Sequence, residues 1–544
     1  MSDARQRLIV KVFRKYSNSL GPDALALVED ILDEYEDWDE SEIEESLDHL
    51  AREYNKQDDA VMKVNVDVLR RVFYTLQNAN DNPGDLRQTL DADSHLFIID
   101  SFEMPLWNWS PERGTFEKVN TPLTVSGTPE SRVLSVRNRL NIIKQCVLRN
   151  EHFAPSTLPS KDRERLVTLK STKQLLGRAG ERFLLLGMLA HNKEGKLVLE
   201  DADGSVELDF SHLDEPGDGL FVEGCFALVE GEYTPDGALE IIAIGQPPCE
   251  PRDVARSIYG HIDFLGKGAT SLLEDTQFAT RVQEDFENMQ FFVLSDVWLD
   301  HPRTLPGLRL MFENCIANDF VPKVIVLCGN FTTQSISHGD GRDIQRYQEN
   351  FDALADLIAS FPDLTAATHF VFVPGPLDIA LNGPVLPRKP LMSAFTARLR
   401  TKVPHVHFAT NPCRIKFFHQ EIVVFREDLM ARMLRNMVGV KPDVAGEDLK
   451  RYLVQTVLDQ AHMSPFTLNI QPVLSDFDHS LRLYPLPTAV VLADKYDRYK
   501  ITYTGCHVFN PGSFASGKSY VFSTYQPSQV NSEECVIDMP IENY

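Results

Sequence analysis

Three short apolar runs constrain this chain more than anything else in it: Phe291 to Asp300 (FFVLSDVWLD), Lys323 to Asn330 (KVIVLCGN) and His369 to Asp378 (HFVFVPGPLD). Each has the length of a strand and stops at a small, turn-forming or acidic residue. None shows the polar alternation of a strand with one wet face. Such runs, separated by helical segments, read as strands of a parallel sheet buried on both faces inside an α/β domain. Ligands in such sheets collect beyond the carboxyl ends of the strands. Chemistry is therefore expected at Asp296, Asn330 and the segment from Pro376 to Asp378.

The loops after these runs resemble those of the calcineurin-like metallophosphoesterases, which read DxH, GD and GNH, then a later histidine and GHxH, and hold two divalent metals. Here the frame stays and the ligands change. Trp298 stands where the first histidine would be and Asn330 where the bridging aspartate would be. Pro376 and Leu377 replace the asparagine and histidine of the third loop. His462, in QAHMSP, takes the place of the later histidine, and Asp494 and Tyr496 replace the pair in GHxH. Two cations about 3.5–4 Å apart need a shared anionic bridge. An amide supplies no such charge, and an indole donates but does not coordinate. The resemblance thus implies a phosphoesterase fold without its metals, with no cofactor and no catalytic residue. Asp296 is expected to accept hydrogen bonds from its neighbours, Asp378 to cap a helix or turn, and Arg426 with Glu427 to form an internal ion pair.

At 544 residues the chain is long enough for two to four domains with an ample core. No apolar run approaches the roughly 18 residues a membrane span needs. The opening MSDARQRLIV is too polar for a signal peptide, so an intracellular protein is expected. The 8 cysteines are scattered without a CxxC pair, against a zinc cluster or a disulfide framework, and Cys225, Cys328 and Cys506 read as inert buried thiols. A formal charge of -25 leaves no basic stripe for gripping phosphates directly.

Residues 1–77 carry four helical stripes: Leu8 to Tyr16, Leu25 to Tyr35 behind Pro22, Ile43 to Leu50 behind a Ser41–Glu44 capping box, and Val66 to Phe73. The acids between Glu29 and Asp48 read as a solvated face or a dock for a basic partner. Residues 78–94 are rich in Asn and Asp and read as a flexible tether. Residues 95–175 read as linking strands around a turn at Pro111 to Gly114, followed by a helix from Arg132 to Arg149. Residues 176–250 show about five short strands with turns at Gly195, Asp203-Gly204 and Asp236-Gly237, best fitted by an OB-fold barrel. Its acids outnumber Lys193 and Lys196, so packing or a protein partner is expected of it rather than single-stranded DNA. Residues 255–544 form the large phosphoesterase-like α/β/β/α sandwich, with further helices at Ile344 to Ser360 and Asp448 to Gln460.

The strings FVLSDVWLD, LCGNF, FVFVPGP, LPR, TNPCRI, QEIVVFREDL, LYPLP, LADKYD and NPGSF, in this order after a barrel and an acidic helical domain, closely resemble the B-subunit family of DNA polymerase epsilon. That resemblance implies a non-catalytic accessory subunit in the nucleus. It implies that the barrel and large domain hold the zinc-bearing C-terminal region of the catalytic polymerase subunit. It also implies an N-terminal domain similar to the lid of AAA+ ATPases, reaching the GINS component of the replicative helicase. It implies further that small histone-fold subunits share the complex and that DNA is met through it. The alternatives are a metal-dependent phosphodiesterase or nuclease with rebuilt ligands, and the corresponding accessory subunit of another replicative polymerase.

Overall fold

The computed structural model describes residues 2–16, 18–33, 40–55, 57, 62–66, 68–73, 91–153, 168–213, 217–336, 341–381, 383–439 and 446–538. Most of the expected tether at 78–94, and the acids at 34–39, lie outside the described residues. The chain forms two compact units, residues 1–91 with 260–263 and 267–274, and the remainder.

In the first unit α1 (Ser2–Lys15), α2 (Pro22–Asp33), α3 (Glu40–Asn55) and helical residues 68–73 turn their apolar stripes inward. Phe13, Val28, Leu47, Tyr54 and Leu69 form the centre of that core. Ser41 lies within α3 instead of capping it, because the helix already runs from Glu40. The acids of α3 are not all a solvated face: Lys11 pairs with Glu44 at 3.0 Å and Lys15 with Asp48 at 2.9 Å. Arg52 donates to the same Asp48 at 2.8 Å.

The second unit contains a closed barrel and a two-sheet sandwich. In the barrel, β5 (Arg182–His191), β6 (Leu197–Glu200), β7 (Ser205–Asp209), β8 (Phe226–Tyr233) and β9 (Ala238–Gly245) run in the order β5-β6-β7-β9-β8, and β8 pairs back onto β5. Closure removes the sheet edges that an open sheet of this size exposes. Leu185, Leu199, Val229 and Ile241 fill the interior. A short strand, β4 (Leu169–Lys170), lies parallel to β5. The residues at 220–224 are loop instead of the start of a long strand, and Val222 bridges Met437 of the sandwich.

In the sandwich, the first sheet has the order β13-β12-β11-β10-β19-β20. The three diagnostic runs are its strands β10 (Phe291–Leu294), β11 (Val324–Cys328) and β12 (His369–Val373), parallel to one another and to β13 (Val406–Phe408). β19 (Ser519–Gln526) and β20 (Asn531–Asp538) complete the sheet in antiparallel fashion. Alternate side chains explain why these runs are apolar throughout. Phe292, Leu294, Ile325 and Phe372 meet helices Thr304–Ala317, Gly341–Ala359 and Ser393–Lys402, while the Phe291 ring meets Phe417 of the other sheet at 5.3 Å.

The second sheet has the order β1-β14-β15-β16-β18-β17. It is built from β1 (Leu96–Ile99), β14 (Cys413–Phe417), β15 (Gln420–Arg426), β16 (Ala489–Ala493), β17 (Tyr499–Tyr503) and β18 (Cys506–Asn510). Helices Leu429–Arg435 and Glu447–Asp459 cover its outer face. β1 comes from the segment expected only to link domains, and pairs antiparallel with β14. The expected hairpin follows it as β2 (Trp107–Ser110) and β3 (Thr115–Lys118).

α4 (Pro129–Arg149) joins the barrel to the sandwich. Thr128 caps it in a reciprocal box with Ser131. Its Val136, Leu140, Ile143 and Val147 pack on Leu184, Leu186, Phe226 and Leu228 of the barrel. Two of its arginines make ion pairs beside that stripe. Arg149 makes a two-pronged bond to Glu250, both distances 2.8 Å, and Arg139 Nε donates to Asp478 Oδ2 at 2.9 Å. Removing one partner of a buried pair costs more than the pair contributes, because the other charge is left without compensation. Arg139→Met is therefore expected to lower unfolding free energy by about 3–5 kcal/mol in urea titrations. A loss under about 1 kcal/mol, the range of exposed pairs, would show that this anchor is solvated.

Candidate functional site

At the end of β10 the backbone turns through Asp296, whose φ of 51° lies in the left-handed region that few residues other than Gly, Asn and Asp enter. The turn directs its carboxylate inward, against the end of β15 in the facing sheet. There Arg426 Nη2 donates to Asp296 Oδ1 at 2.7 Å, both side chains being fully buried. The same guanidinium reaches Gly329 O through Nε at 2.7 Å, and Asp428 Oδ1 and Ala493 O through Nη1 at 2.8 and 3.3 Å. Burial opposes a charged guanidinium, but Asp296 and Asp428 outweigh it and raise the affinity of Arg426 for its proton. One cation thus ties together the carboxyl ends of β10, β11, β15 and β16.

The remaining acceptor capacity of Asp296 is also filled. Its Oδ1 receives the Asn330 backbone N–H at 3.3 Å and Asn330 Nδ2 at 3.2 Å, and its Oδ2 receives the Ser513 hydroxyl at 2.6 Å. Asn330 points its amide nitrogen at Asp296, while its Oδ1 accepts from Leu377 N–H at 2.8 Å. It acts as a bridge between loops. Glycine is required at 329 and 375 for this closeness: a Cβ at Gly375 would lie 2.5 Å from Asn330 Oδ1, and one at Gly329 2.0 Å from Asp378 Oδ2.

Asp378 closes the third loop, as the expected turn cap, and also binds the second. Its Oδ2 accepts from Gly375 N–H at 2.7 Å, and its Oδ1 from Phe331 N–H at 2.8 Å and Tyr347 hydroxyl at 3.1 Å. Burial pushes its pKa up to about 6 against the pull of these bonds. Asp494, at the end of β16, accepts from Met430 N–H at 2.8 Å and Tyr496 N–H at 3.1 Å, and burial pushes it up to about 6 as well.

The other expected positions divide. Trp298 and Pro376 are partly buried beside the cluster, Trp298 giving its backbone N–H to Asp296 O at 2.8 Å. Tyr496 packs on the core of the second sheet. His462 belongs to a different group: its Nδ1 accepts from Ser464 N–H at 3.0 Å and its Nε2 lies 3.5 Å from Asp478, the partner of Arg139. Arg426 does not pair with Glu427. Successive residues of a strand face opposite ways, so Glu427 turns to Arg388 at 2.7 Å and Arg432 at 2.9 Å. Ser513 and Asp428 were not anticipated as members, although NPGSF and the charged triplet Arg426-Glu427-Asp428 at a strand end are the signals that mark them.

The donors present do not fit a two-metal centre. A divalent ion bound to Asp296 would face the Arg426 guanidinium, already 2.7 Å from that carboxylate, and would find an amide nitrogen of Asn330 directed at the same oxygen. Among the described residues, the group able to bring three ligand atoms together is His49, Glu53 and Glu274, in the first unit, where Arg52 already pairs with Glu274 at 2.5 Å. What the Asp296 cluster does chemically is fasten loops.

A family model for the B subunit of DNA polymerases alpha and epsilon matches residues 291–500, and one described as DNA polymerase epsilon subunit 2-like, OB-fold domain, matches residues 129–248. The first span contains Asp296, Asn330, Asp378, Arg426 and Asp494. The chain is similar to DNA polymerase epsilon subunit 2 of Homo sapiens, 37% identical over 450 residues that make up 81% of this chain and 83% of that protein. It is 31% identical to the DNA polymerase epsilon B subunit of Arabidopsis thaliana over 526 residues, 96% of this chain and 97% of that one. Among solved structures, an archaeal phosphodiesterase aligns with a TM-score of 0.25 and 11% identity, covering 46% of this chain and 100% of that chain.

Arg426→Met strands a buried carboxylate and is expected to cost about 3–5 kcal/mol, of which the double variant Asp296→Asn/Arg426→Met recovers a part in a double-mutant cycle. Asp494 titrates near 6 in the folded protein and at about 3.9 when unfolded. Its neutral form therefore favours folding, with the contribution complete below the unfolded value and lost as pH rises through the folded one. Wild type should thus lose stability relative to Asp494→Asn between those two pH values. A flat difference would mean that the carboxyl is hydrated.

Proposed function

The chain belongs to the B-subunit family of DNA polymerase epsilon, and we propose that it serves that polymerase as a non-catalytic accessory subunit, a rigid platform with no reaction of its own. The observation that carries this reading is the Arg426 guanidinium seated on Asp296, with every acceptor of that carboxylate engaged. A hydrolytic centre needs an activated water or a metal with an open position. Here the loops that would hold them are braced against one another.

On this reading Asp296, Trp298, Asn330, Pro376, Leu377, Asp494 and Tyr496 are vestiges of a metallophosphoesterase centre in residues 255–544, and His462, seated with Asp478, is a vestigial position that has left it. The barrel at 176–250 and the large domain act together on the zinc-bearing C-terminal region of the catalytic subunit. Their attachment through α4 supports this, since buried ionic and apolar contacts keep two surfaces in one fixed relation. Residues 1–77 reach the GINS component of the replicative helicase over the segment 78–94, and the small histone-fold subunits share the complex. The work is nuclear, and DNA is met through the assembly. The charge of -25 supports that last point, because a polyanion is repelled unless a basic partner holds it.

Elemental analysis of the purified full chain is expected to give less than one equivalent of transition metal, and bis(p-nitrophenyl) phosphate with added manganese is expected to remain intact. Manganese-dependent hydrolysis that disappears in Asp296→Asn would overturn the non-catalytic reading. Failure to co-purify with the epsilon catalytic subunit would overturn the platform.

A further inference from the structure

Among the described residues, one side of α4 is left unused by both the barrel and the sandwich. It carries Val133, Arg137, Lys144 and Leu148, at positions i, i+4, i+11 and i+15 of one helix, with Leu134 beside them. Val133 is 58% exposed, Leu134 52% and Leu148 41%. Arg137 and Lys144 are exposed too, and among the described residues neither has an ion-pair or hydrogen-bond partner, whereas Arg139 and Arg149 of the same helix are both paired. The acid nearest the start of the stripe, Glu130, has its pKa lowered by hydrogen bonds from its own backbone N–H and from Thr128, so the helix end occupies it.

We infer that this stripe is a docking surface for an acidic amphipathic helix of a partner protein. From Val133 to Leu148 the stripe is about 22 Å long at the usual rise per residue, roughly four helical turns. Covering the apolar residues at both ends from water is favourable, and the two cations between them are free to pair with carboxylates. A helix with apolar residues at its two ends and Asp or Glu between them meets both needs at once, in the packing of ridges into grooves. A nucleic acid meets only one: its phosphates can pair with the two cations but offer nothing to Val133 and Leu148. Exposure and charge alone carry the assignment, independently of the accessory-subunit reading.

Fluorescence anisotropy with the full chain tests it. The probe is a labelled synthetic helix of about 18 residues, spanning the stripe, with leucine at both ends and glutamates between. A scrambled peptide of equal composition and a single-stranded oligonucleotide of similar length serve as controls. The designed helix is expected to bind about tenfold more tightly than the scrambled one, a difference that Arg137→Glu/Lys144→Glu and, separately, Val133→Asp/Leu148→Asp each abolish. Because all four side chains are exposed, both variants are expected to keep the circular dichroism and Tm of the wild type. Equal binding of designed and scrambled peptides, or binding indifferent to both double variants, would overturn the inference. So would a preference for the oligonucleotide that Arg137→Glu/Lys144→Glu removes.

Discussion

A single buried cation organises the large domain. Arg426 leaves one sheet and ends against Asp296 of the other, and neither side chain touches water. Two isolated charges so deep would be prohibitive, and even a pair does little more than balance its own desolvation. What such a pair supplies is definition. The guanidinium has donors in one plane, and each reaches an acceptor on a different strand end, Asp296, Gly329, Asp428 or Ala493. Any slip of one sheet over the other would leave at least one of these groups unpaired in an apolar interior. The rest of the loop cluster is built on that fixed point.

The barrel and its connecting helix extend the same arrangement outward. α4 turns an apolar side to the barrel, ion-pairs with Asp478 of the sandwich through Arg139 and leaves a further side to solvent. Some of the barrel's own charges are engaged at home: Lys196 pairs with Glu207 at 2.8 Å, and Asp201 accepts from the Thr172 N–H and hydroxyl at 2.7 and 2.6 Å. Acids outnumber bases in this barrel, which leaves little there to attract a polyanion.

Much of this could be read from residues in order. The three apolar runs are parallel neighbours in one sheet, the barrel strands fall at the turns marked by Gly and Asp-Gly, and Gly341–Ala359 and Glu447–Asp459 are helices where periodicity placed them. These are local signals, decided by spacing and turn chemistry. Non-local features were harder. Leu96–Ile99 has an ordinary strand pattern, but nothing in it says that its partner is Cys413–Phe417, more than half the chain away. Arg426 and Glu427 are adjacent in sequence and look like a pair, yet the pleat sends them to opposite sides and each finds its counter-ion elsewhere.

Sequence alone determined the strand-and-helix grammar, the residues at the strand ends, and the lack of a bridging charge at Asn330 and of a coordinating atom at Trp298, because each of these follows from the chemistry of a residue and its near neighbours. Only the tertiary structure decided which cation answers Asp296, why His462 stands with Asp478 and Arg139 instead, and which side of α4 remains open to solvent. The reason is physical: a buried charge is compensated by whatever the fold brings within about 3 Å of it, and that distance bears no relation to separation along the chain.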